Sequence, residues 1–132
     1  MKVLYINTAD KIVKLGFFVT DEKSYFSEFK QDNNLVEILY EKIEKFLAKY
    51  RTKISDLTHV AVFRGPGGFT SLRIGAVTAN AINFVQKTPL LEISEKEEKN
   101  LEDSIKKKIA KKDFKKIIVP LYGKEPNITS PR

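Results

Sequence analysis

The sequence predicts an α/β fold, in which a mixed five-stranded sheet is packed with helices. A strand–helix–strand unit is the first observation behind it, because apolar runs at residues 59–63 and 90–93 flank an amphipathic stretch and should form parallel strands. A second observation is an opening antiparallel meander, in which tight turns join three short strands. These strands have apolar or alternating patterns and lie at residues 3–7, 11–19 and 24–29.

Two helices are predicted by apolar residues that recur at three- and four-residue spacing. The first covers about residues 34–50, and Asn33 or Asn34 can cap it. The second covers about residues 70–85, with Thr70 or Ser71 as its cap. The first helix has one wide apolar stripe, as expected of a helix that packs on a sheet.

The chain divides into three parts by composition. Residues 1–94 form the predicted domain, residues 95–116 form a lysine-rich helical segment, and residues 117–132 form a strand-like segment with a polar tail. Ser94 and Glu97 have the spacing of a capping box, which starts a helix that should continue to about Lys112. Its apolar side is a narrow seam, which can cover an existing surface but cannot build a core.

Composition excludes several classes of protein. The 132 residues suffice for one compact domain, and the 42% hydrophobic content argues against wholesale disorder. No apolar run reaches the length of about 20 residues that a membrane span needs. The chain has no cysteine, which excludes disulfides and thiolate metal sites. With no signal-peptide pattern at the start, these features indicate a cytoplasmic protein that does not contact membranes.

The net charge of +7 favours an acidic partner such as tRNA. Much of the excess lies between Lys106 and Lys116, where a solvated helix surface explains the lysines about as well as RNA binding does. The candidate RNA contacts in this segment are Lys107, Lys108, Lys111 and Lys112.

The most distinctive segment is a glycine-rich turn between a strand and a helix, Arg64-Gly65-Pro66-Gly67-Gly68-Phe69. Glycines and a proline allow an unusual backbone shape there, and the first N–H groups of the following helix face the turn. Such a helix start can hold an anion. The alternative is that the glycines only make a tight corner.

The stretch Arg64 to Gly75 resembles the signature GRGPGSFTGLRIG of the TsaB proteins and of their catalytic relative TsaD. Three further segments resemble the family in the expected order. They are an opening strand at residues 3–9, a strand at residues 89–94, and a proline–tyrosine segment at residues 119–126. The resemblance covers about residues 1–94 and 117–131.

This resemblance implies a single actin-like (ASKHA, ribonuclease H-like) lobe. It also implies a subunit that supports TsaD, together with the ATPase TsaE, in threonylcarbamoyladenosine modification of tRNA, so that the chain meets tRNA only indirectly. The family's helices in this lobe pair with the equivalent helices of TsaD. No cofactor is expected in the chain itself, and ATP with magnesium is expected only in the partner or at the shared interface.

The sequence departs from the family pattern in ways that bear on nucleotide binding. Asn7 stands where relatives have aspartate, and Gly68 and Ser71 replace the usual serine and glycine. Only the lysine-rich segment at residues 95–116 joins the two resembling regions, so we expect the second lobe, which completes a nucleotide cleft in the superfamily, to be missing. Nucleotide or phosphate binding remains an alternative function, for which the candidate residues are Asn7, Thr8, Gly65, Gly67, Gly68, Thr70 and Arg73.

Few residues suggest catalysis. His59 is the only histidine, and it adjoins an apolar strand, where a structural role is the simpler interpretation. No cluster has the spacing of a zinc or iron site. We therefore expect a non-catalytic subunit.

Association is the better-supported expectation, because small and apolar residues wrap more than one face of the second helix. The leading hypothesis is a heterodimer with a TsaD-like protein through the two central helices, and a homodimer through the same surface is an alternative. The third helix of the same chain could instead cover this face. The candidate interface residues are Tyr40, Ile43, Phe46, Leu47, Tyr50, Leu72, Gly75, Ala76, Ala79 and Ile82.

Overall fold

The computed structural model describes residues 1–121, which form one five-stranded sheet with helices on both faces. The strands are β1 (Lys2–Asn7), β2 (Ile12–Val19), β3 (Tyr25–Lys30), β4 (His59–Phe63) and β5 (Leu90–Ile93). The helices are α1 (Leu35–Ala48), α2 (Phe69–Gln86), α3 (Glu95–Glu98) and α4 (Leu101–Ala110), and a 3₁₀ turn spans Ile54–Asp56.

The sheet has the order β3-β2-β1-β4-β5. Strand β2 pairs antiparallel with both β1 and β3, whereas β4 pairs parallel with both β1 and β5. The α/β class, the antiparallel meander and the parallel strand–helix–strand unit are all confirmed. Because β1, β3 and β4 run in one direction, α1 and α2 both begin at the edge of the sheet where β1 ends.

Helices α1 and α2 cover one face of the sheet. Their buried side chains meet the inward residues of the strands in one core cluster, and the sheet side of it includes Leu4, Ile6, Val13, Leu15 and Val60. On β2 the residues Val13, Leu15 and Phe17 alternate with neighbours on the other face, as the two-residue period of a strand requires. The core of the molecule lies mainly between this helix pair and the sheet.

Helix α4 covers the opposite face of the sheet. Leu101 and Ile105 join a second cluster with Val3, Tyr5 and Phe18, and Ile109 packs at its margin. The narrow seam therefore covers an existing surface, as predicted. Since α4 packs on this face, it does not cover the outer side of α2.

Several local expectations are wrong. The segment after Ser94 is two helices, α3 and α4, because the chain turns at Asn100 to lay α4 along the sheet. Gly68, and neither Thr70 nor Ser71, occupies the cap position of α2. Asn34 holds the cap position of α1, but its side chain accepts a bond from the Asp32 N–H and caps nothing.

The strand-like segment expected from residue 117 is not a strand up to residue 121, although an isolated antiparallel bridge pairs Lys115 with Leu90. The rest of that segment, including Tyr122 and the polar tail, lies outside the described residues. The division of the chain at residues 94 and 116 stays a prediction.

Candidate functional site

The glycine-rich turn packs tightly against the end of β1. Gly65 has a φ of 113°, which disfavours any residue with a side chain, and its Cα faces the carbonyl of Leu121. A Cβ on Gly67 would lie 2.6 Å from the Cβ of Ala9, and the N–H of Gly68 donates to the carbonyl of Ala9 at 3.0 Å. These glycines make a close corner between β4 and α2.

Thr8 joins the end of β1 to the first turns of α2. Its side chain is buried, and its Oγ1 donates to the carbonyl oxygen of Ser71 at 2.6 Å. A Cβ on Gly75 would overlap this hydroxyl. Gly75 is therefore required for the close approach of helix and strand.

Asn7 is held by a carboxylate from α3. Its Nδ2 donates to Glu98 Oε2 at 2.6 Å, and its Oδ1 accepts from the Ala9 N–H at 2.9 Å. The fully buried Tyr5 hydroxyl donates to the same Glu98 oxygen at 2.6 Å, and Lys14 Nζ lies 3.7 Å from it. Burial and the neighbouring carboxylate raise the pKa of Tyr5 above its ordinary range. The polar groups at this edge thus satisfy one another within the chain.

The candidate phosphate-binding residues are not brought together into one cradle. Asn7 and Thr8 bond within the chain, and Gly65 and Gly67 pack against other backbone. Gly68 and Thr70 line an open groove of about 840 Å³ between the starts of α1 and α2. The Arg73 guanidinium lies over the Phe69 ring, at 5.5 Å from its centroid.

Most of the candidate interface residues belong to the core of the monomer, so that part of the prediction is wrong. A side chain packed between a helix and its own sheet cannot contact a partner. The buried residues of the predicted set are Ile43, Phe46, Leu47, Leu72, Gly75, Ala76, Ala79 and Ile82. Tyr50 is half-buried and stacks on Tyr25 with ring centroids 4.1 Å apart. Tyr40 is the one that stays exposed, at 52%.

A different set of apolar side chains faces outward from the same two helices. Val36 and Tyr40 lie one turn apart on α1, and Val77, Phe84 and Val85 lie on α2, with exposures from 52% to 77%. Helical spacing places Val77 and Phe84 opposite Gly75, Ala79 and Ile82, which pack inward, and Val85 at the flank of that side. We call these five residues the outer helix face.

Residues 115–121 pack beside α2, a contact that the sequence analysis missed. Asn80 donates from Nδ2 to the carbonyl of Ile118 at 3.2 Å and accepts from its N–H at 2.9 Å, while the Ile118 side chain enters the core. The Leu121 N–H donates to the Arg64 carbonyl at 2.6 Å. An asparagine within an apolar helix was the available signal, since its two amide groups need partners.

The lysine-rich segment is split by the structure. Lys108 is only 14% exposed and forms ion pairs with Glu97 at 3.0 Å and Asp113 at 3.5 Å, so its prediction as an RNA contact is wrong. Lys107, Lys111 and Lys112 are exposed.

His59, the only histidine in the sequence, is held by contacts within the chain. His59 contacts Thr58 and packs against Phe114, and burial followed by the nearby N-terminal charge lowers its pKa. Residues 1–121 contain no group of three His, Asp or Glu side chains arranged to hold a metal. Within the same residues, no helix is long and apolar enough to cross a membrane.

Comparison with known proteins gives a family for this arrangement. Residues 30–121 match the family model described as TsaD, tRNA N6-adenosine threonylcarbamoyltransferase. Two curated relatives are both named tRNA threonylcarbamoyladenosine biosynthesis protein TsaB. The one from Buchnera aphidicola is 29% identical over 65% of this chain, and the one from Haemophilus influenzae is 28% identical over 71%. The chain spans only 37% and 39% of their lengths, respectively.

Solved structures confirm the fold. YeaZ from Pseudomonas aeruginosa superposes with a TM-score of 0.65 at 19% identity, covering 70% of this chain and 43% of that one. RuvC from Thermus thermophilus superposes with a TM-score of 0.51 at 14% identity, covering 71% and 64%. The mixed sheet with packed helices is thus the architecture expected from the signature.

Proposed function

Because this chain belongs to the family of the tRNA N6-adenosine threonylcarbamoyltransferase TsaD, we propose that it is a non-catalytic scaffold subunit that supports a TsaD-like enzyme in the cytoplasm. Its curated relatives are named for tRNA threonylcarbamoyladenosine biosynthesis. In this proposal the chain forms a heterodimer with the TsaD-like enzyme, and a TsaE-like ATPase joins the larger complex.

The outer helix face is the single observation that carries the proposal. Phe84 and Val85 are 76% and 77% exposed, and Val77, about two turns before them, is 63% exposed. Exposed apolar side chains are ordinary when scattered singly, but several on two neighbouring helices indicate a candidate protein interface. Helix α4 lies on the other face of the sheet and leaves this group uncovered.

The fixed position of the two helices suits a scaffold. The approach of α2 to β1 is set by Gly75 against Thr8, and α1 is anchored by Leu39, Ile43 and Leu47. A rigid surface loses little conformational entropy on binding. The outer helix face is therefore presented in one arrangement before the partner arrives.

The polar edge of the sheet supports a non-catalytic role. Catalysis needs groups that are free to contact substrate, whereas Asn7, Tyr5 and Glu98 bond to one another. Glu97 is likewise engaged by the cap of α3 and by Lys108.

Replacing Val77 and Phe84 together by aspartate tests the proposed interface. We expect the affinity for a TsaD-like protein of the same organism to fall at least about 30-fold, since buried interface anchors are worth about 2 kcal/mol or more each. Isothermal titration calorimetry measures the affinity, and size-exclusion chromatography shows whether the pair co-elutes.

Ile12→Asp is the matched control, because Ile12 is 48% exposed but lies away from the outer helix face. Its neighbour Val13 faces the helix pair, so Ile12 lies on the other face of the sheet. This control should bind like the unaltered chain. Equal binding by the double variant and the control would refute the interface. The unaltered chain could instead self-associate without binding the TsaD-like protein. If the double variant loses that self-association, the outer helix face is a homodimer interface.

A further inference from the structure

The charge of this chain is concentrated on one short segment. Residues 106–116 contain seven lysines and one aspartate, and therefore carry a net +6 of the chain's +7. Such a concentration requires a physical explanation, because like charges held close together repel each other.

Among residues 1–121, internal ion pairs account for only two of these lysines. Lys108 binds Glu97 and Asp113, and Lys106 binds Glu102 one turn earlier at 3.5 Å. Within residues 1–121 the remaining five lysines form no ion pair, and all are exposed; they are Lys107, Lys111, Lys112, Lys115 and Lys116. We call these five residues the basic surface.

Helix stabilisation does not explain the basic surface either. Lysines in the last turn of a helix interact favourably with its negative end, and this applies to Lys107 and Lys111. The effect falls off within one turn. Lys115 and Lys116 lie beyond the end of α4 at Ala110, and Lys115 is fixed by its N–H bond to the Leu90 carbonyl at 2.9 Å.

The backbone under the basic surface is held in place. Ile105 and Ile109 pack on the sheet, Phe114 packs against the His59 ring at 5.5 Å, and the N–H of Asp113 donates to the carbonyl of Lys108 at 2.8 Å. The lysine side chains are flexible, but their Cα atoms form a fixed array. A fixed array of cations is suited to the repeated phosphates of a nucleic acid.

Three lysines of the basic surface, Lys107, Lys111 and Lys112, lie in α4 or at its end, and Lys115 lies at the β5 edge of the sheet. α4 covers one face of the sheet, whereas α1 and α2 cover the other. A protein bound to the outer helix face would therefore leave Lys107, Lys111 and Lys112 open. One chain of this size can hold a protein on one side and a polyanion on the other.

We propose that the basic surface binds the phosphate backbone of RNA, so that the chain contacts tRNA directly while the partner is bound through the outer helix face. The choice of RNA over other polyanions rests on the proposed function. Lysine contacts to phosphates carry no sequence information, and the surface contributes affinity and orientation.

The test uses fluorescence anisotropy of a fluorescein-labelled, unmodified tRNA transcript titrated with the full chain between 50 and 300 mM KCl. Five phosphate contacts predict a slope of log affinity against log salt of about −4. The triple variant Lys111→Gln, Lys112→Gln, Lys116→Gln should bind at least about tenfold more weakly at 100 mM KCl, with a slope of about −1 to −2.

A charge-matched control separates this surface from net charge. Lys23, Lys45 and Lys49 are exposed and lie outside the segment, and replacing all three by glutamine removes the same total charge. Circular dichroism verifies that both triple variants are folded. Equal weakening in the two variants, or a flat salt response, overturns the proposal. So does binding to vesicles containing phosphatidylglycerol without binding to tRNA.

The two proposals fail separately. If the triple variant at Lys111, Lys112 and Lys116 loses tRNA but still co-elutes with the TsaD-like protein, the RNA surface is supported on its own evidence. If the unaltered chain binds the TsaD-like protein but shows no salt-dependent binding to tRNA, only the basic surface is refuted.

Discussion

The two helical layers of this molecule are attached to the sheet in different ways. The α1–α2 layer is built on close contacts, in which Gly75 meets Thr8 and Ala76 and Ala79 let α2 approach the strands. The α4 layer is attached by a seam of Leu101 and Ile105, with Ile109 at its margin. A helix with small inward residues is held at short range, and its outward residues then have fixed positions.

The difference separates two kinds of surface. The closely packed layer has apolar residues on its outer side, which suits a shape-specific contact with protein. The seam-attached layer has lysines on its outer side and beyond its end, which suits a contact that depends on charge and tolerates imprecise geometry. The lobe thus offers two surfaces of different chemistry.

The comparison is tested most strongly by the same substitution in each layer. Ile43→Ala should lower the free energy of unfolding by about 3–5 kcal/mol, because Ile43 is fully buried and a cavity there cannot collapse. Ile105→Ala should cost about 2 kcal/mol, because a groove lined by Val3, Phe18 and Ile109 opens beside Ile105 and lets the site relax. Urea denaturation measures both, and equal costs would show that the two layers are equally tight.

The close approach of α2 is tested by Gly75→Ala. The new Cβ would overlap the Thr8 hydroxyl, and overpacking of this kind costs about 1–3 kcal/mol. Gly68→Ala is the matched control, because Gly68 has an ordinary φ of −61°, and its added Cβ would meet the Ser71 side-chain oxygen at 3.0 Å and the Ala9 carbonyl oxygen at an ordinary 3.6 Å. The control should cost less than about 1 kcal/mol. A neutral Gly75→Ala would mean that the strand and helix separate easily.

The attachment of α3 to the sheet depends on Glu98. Glu98→Ala leaves the buried Tyr5 hydroxyl without its acceptor, and the free energy of unfolding should fall by about 1–2 kcal/mol. Glu98→Gln keeps an oxygen that can accept this bond and should restore part of the loss. Glu95→Ala changes an exposed carboxylate three residues earlier in α3 and should have little effect. If both alanine variants cost the same, the bond to Tyr5 would be unimportant.

Much of the fold could be predicted from local patterns, because each pattern has one structural solution. The β4–turn–α2–β5 unit fixes parallel strands, and the pairing of Ser94 with Glu97 starts a helix, as the two bonds between them confirm. The break at Asn100 was missed because it lays α4 on the sheet, where Leu101 joins the cluster of Val3 and Tyr5. That contact joins residues more than 90 positions apart.

The interface residues show a different limit of sequence patterns. A helical stripe identifies which residues share a face, but it does not tell whether the face meets a sheet or a partner. Gly75, Ala76 and Ala79 were assigned to a partner, and the structure packs them on the strands. Val77 and Phe84 can be identified as outward-facing residues only once the side of α2 that meets the sheet is known. Small residues on a helix next to a sheet should first be tested as sheet contacts.

The smallest expected effect concerns the cap that begins the α3–α4 segment. Burial alone would raise the pKa of the Glu97 carboxyl. Hydrogen bonds with the Ser94 backbone N–H, Lys108 and the Ser94 side chain outweigh the burial and hold this pKa below its ordinary value. A carboxyl with a lowered pKa in the folded state stabilises the protein above its unfolded pKa of about 4.3, and this contribution is lost as the pH falls through the folded value.

Glu97→Gln removes this titration, so the difference in unfolding free energy between the unaltered chain and the variant should shrink between pH 7 and pH 3. Because the Glu97 side chain is 35% exposed and solvent screens it, the change should not exceed about 1 kcal/mol. Glu44→Gln on the exposed side of α1 is the control, and its difference should stay nearly constant with pH. Urea denaturation at intervals of pH measures both. A difference for Glu97→Gln that is as flat as the control would show that the cap and Lys108 do not stabilise the charged carboxylate, and that α4 is held by its apolar seam alone.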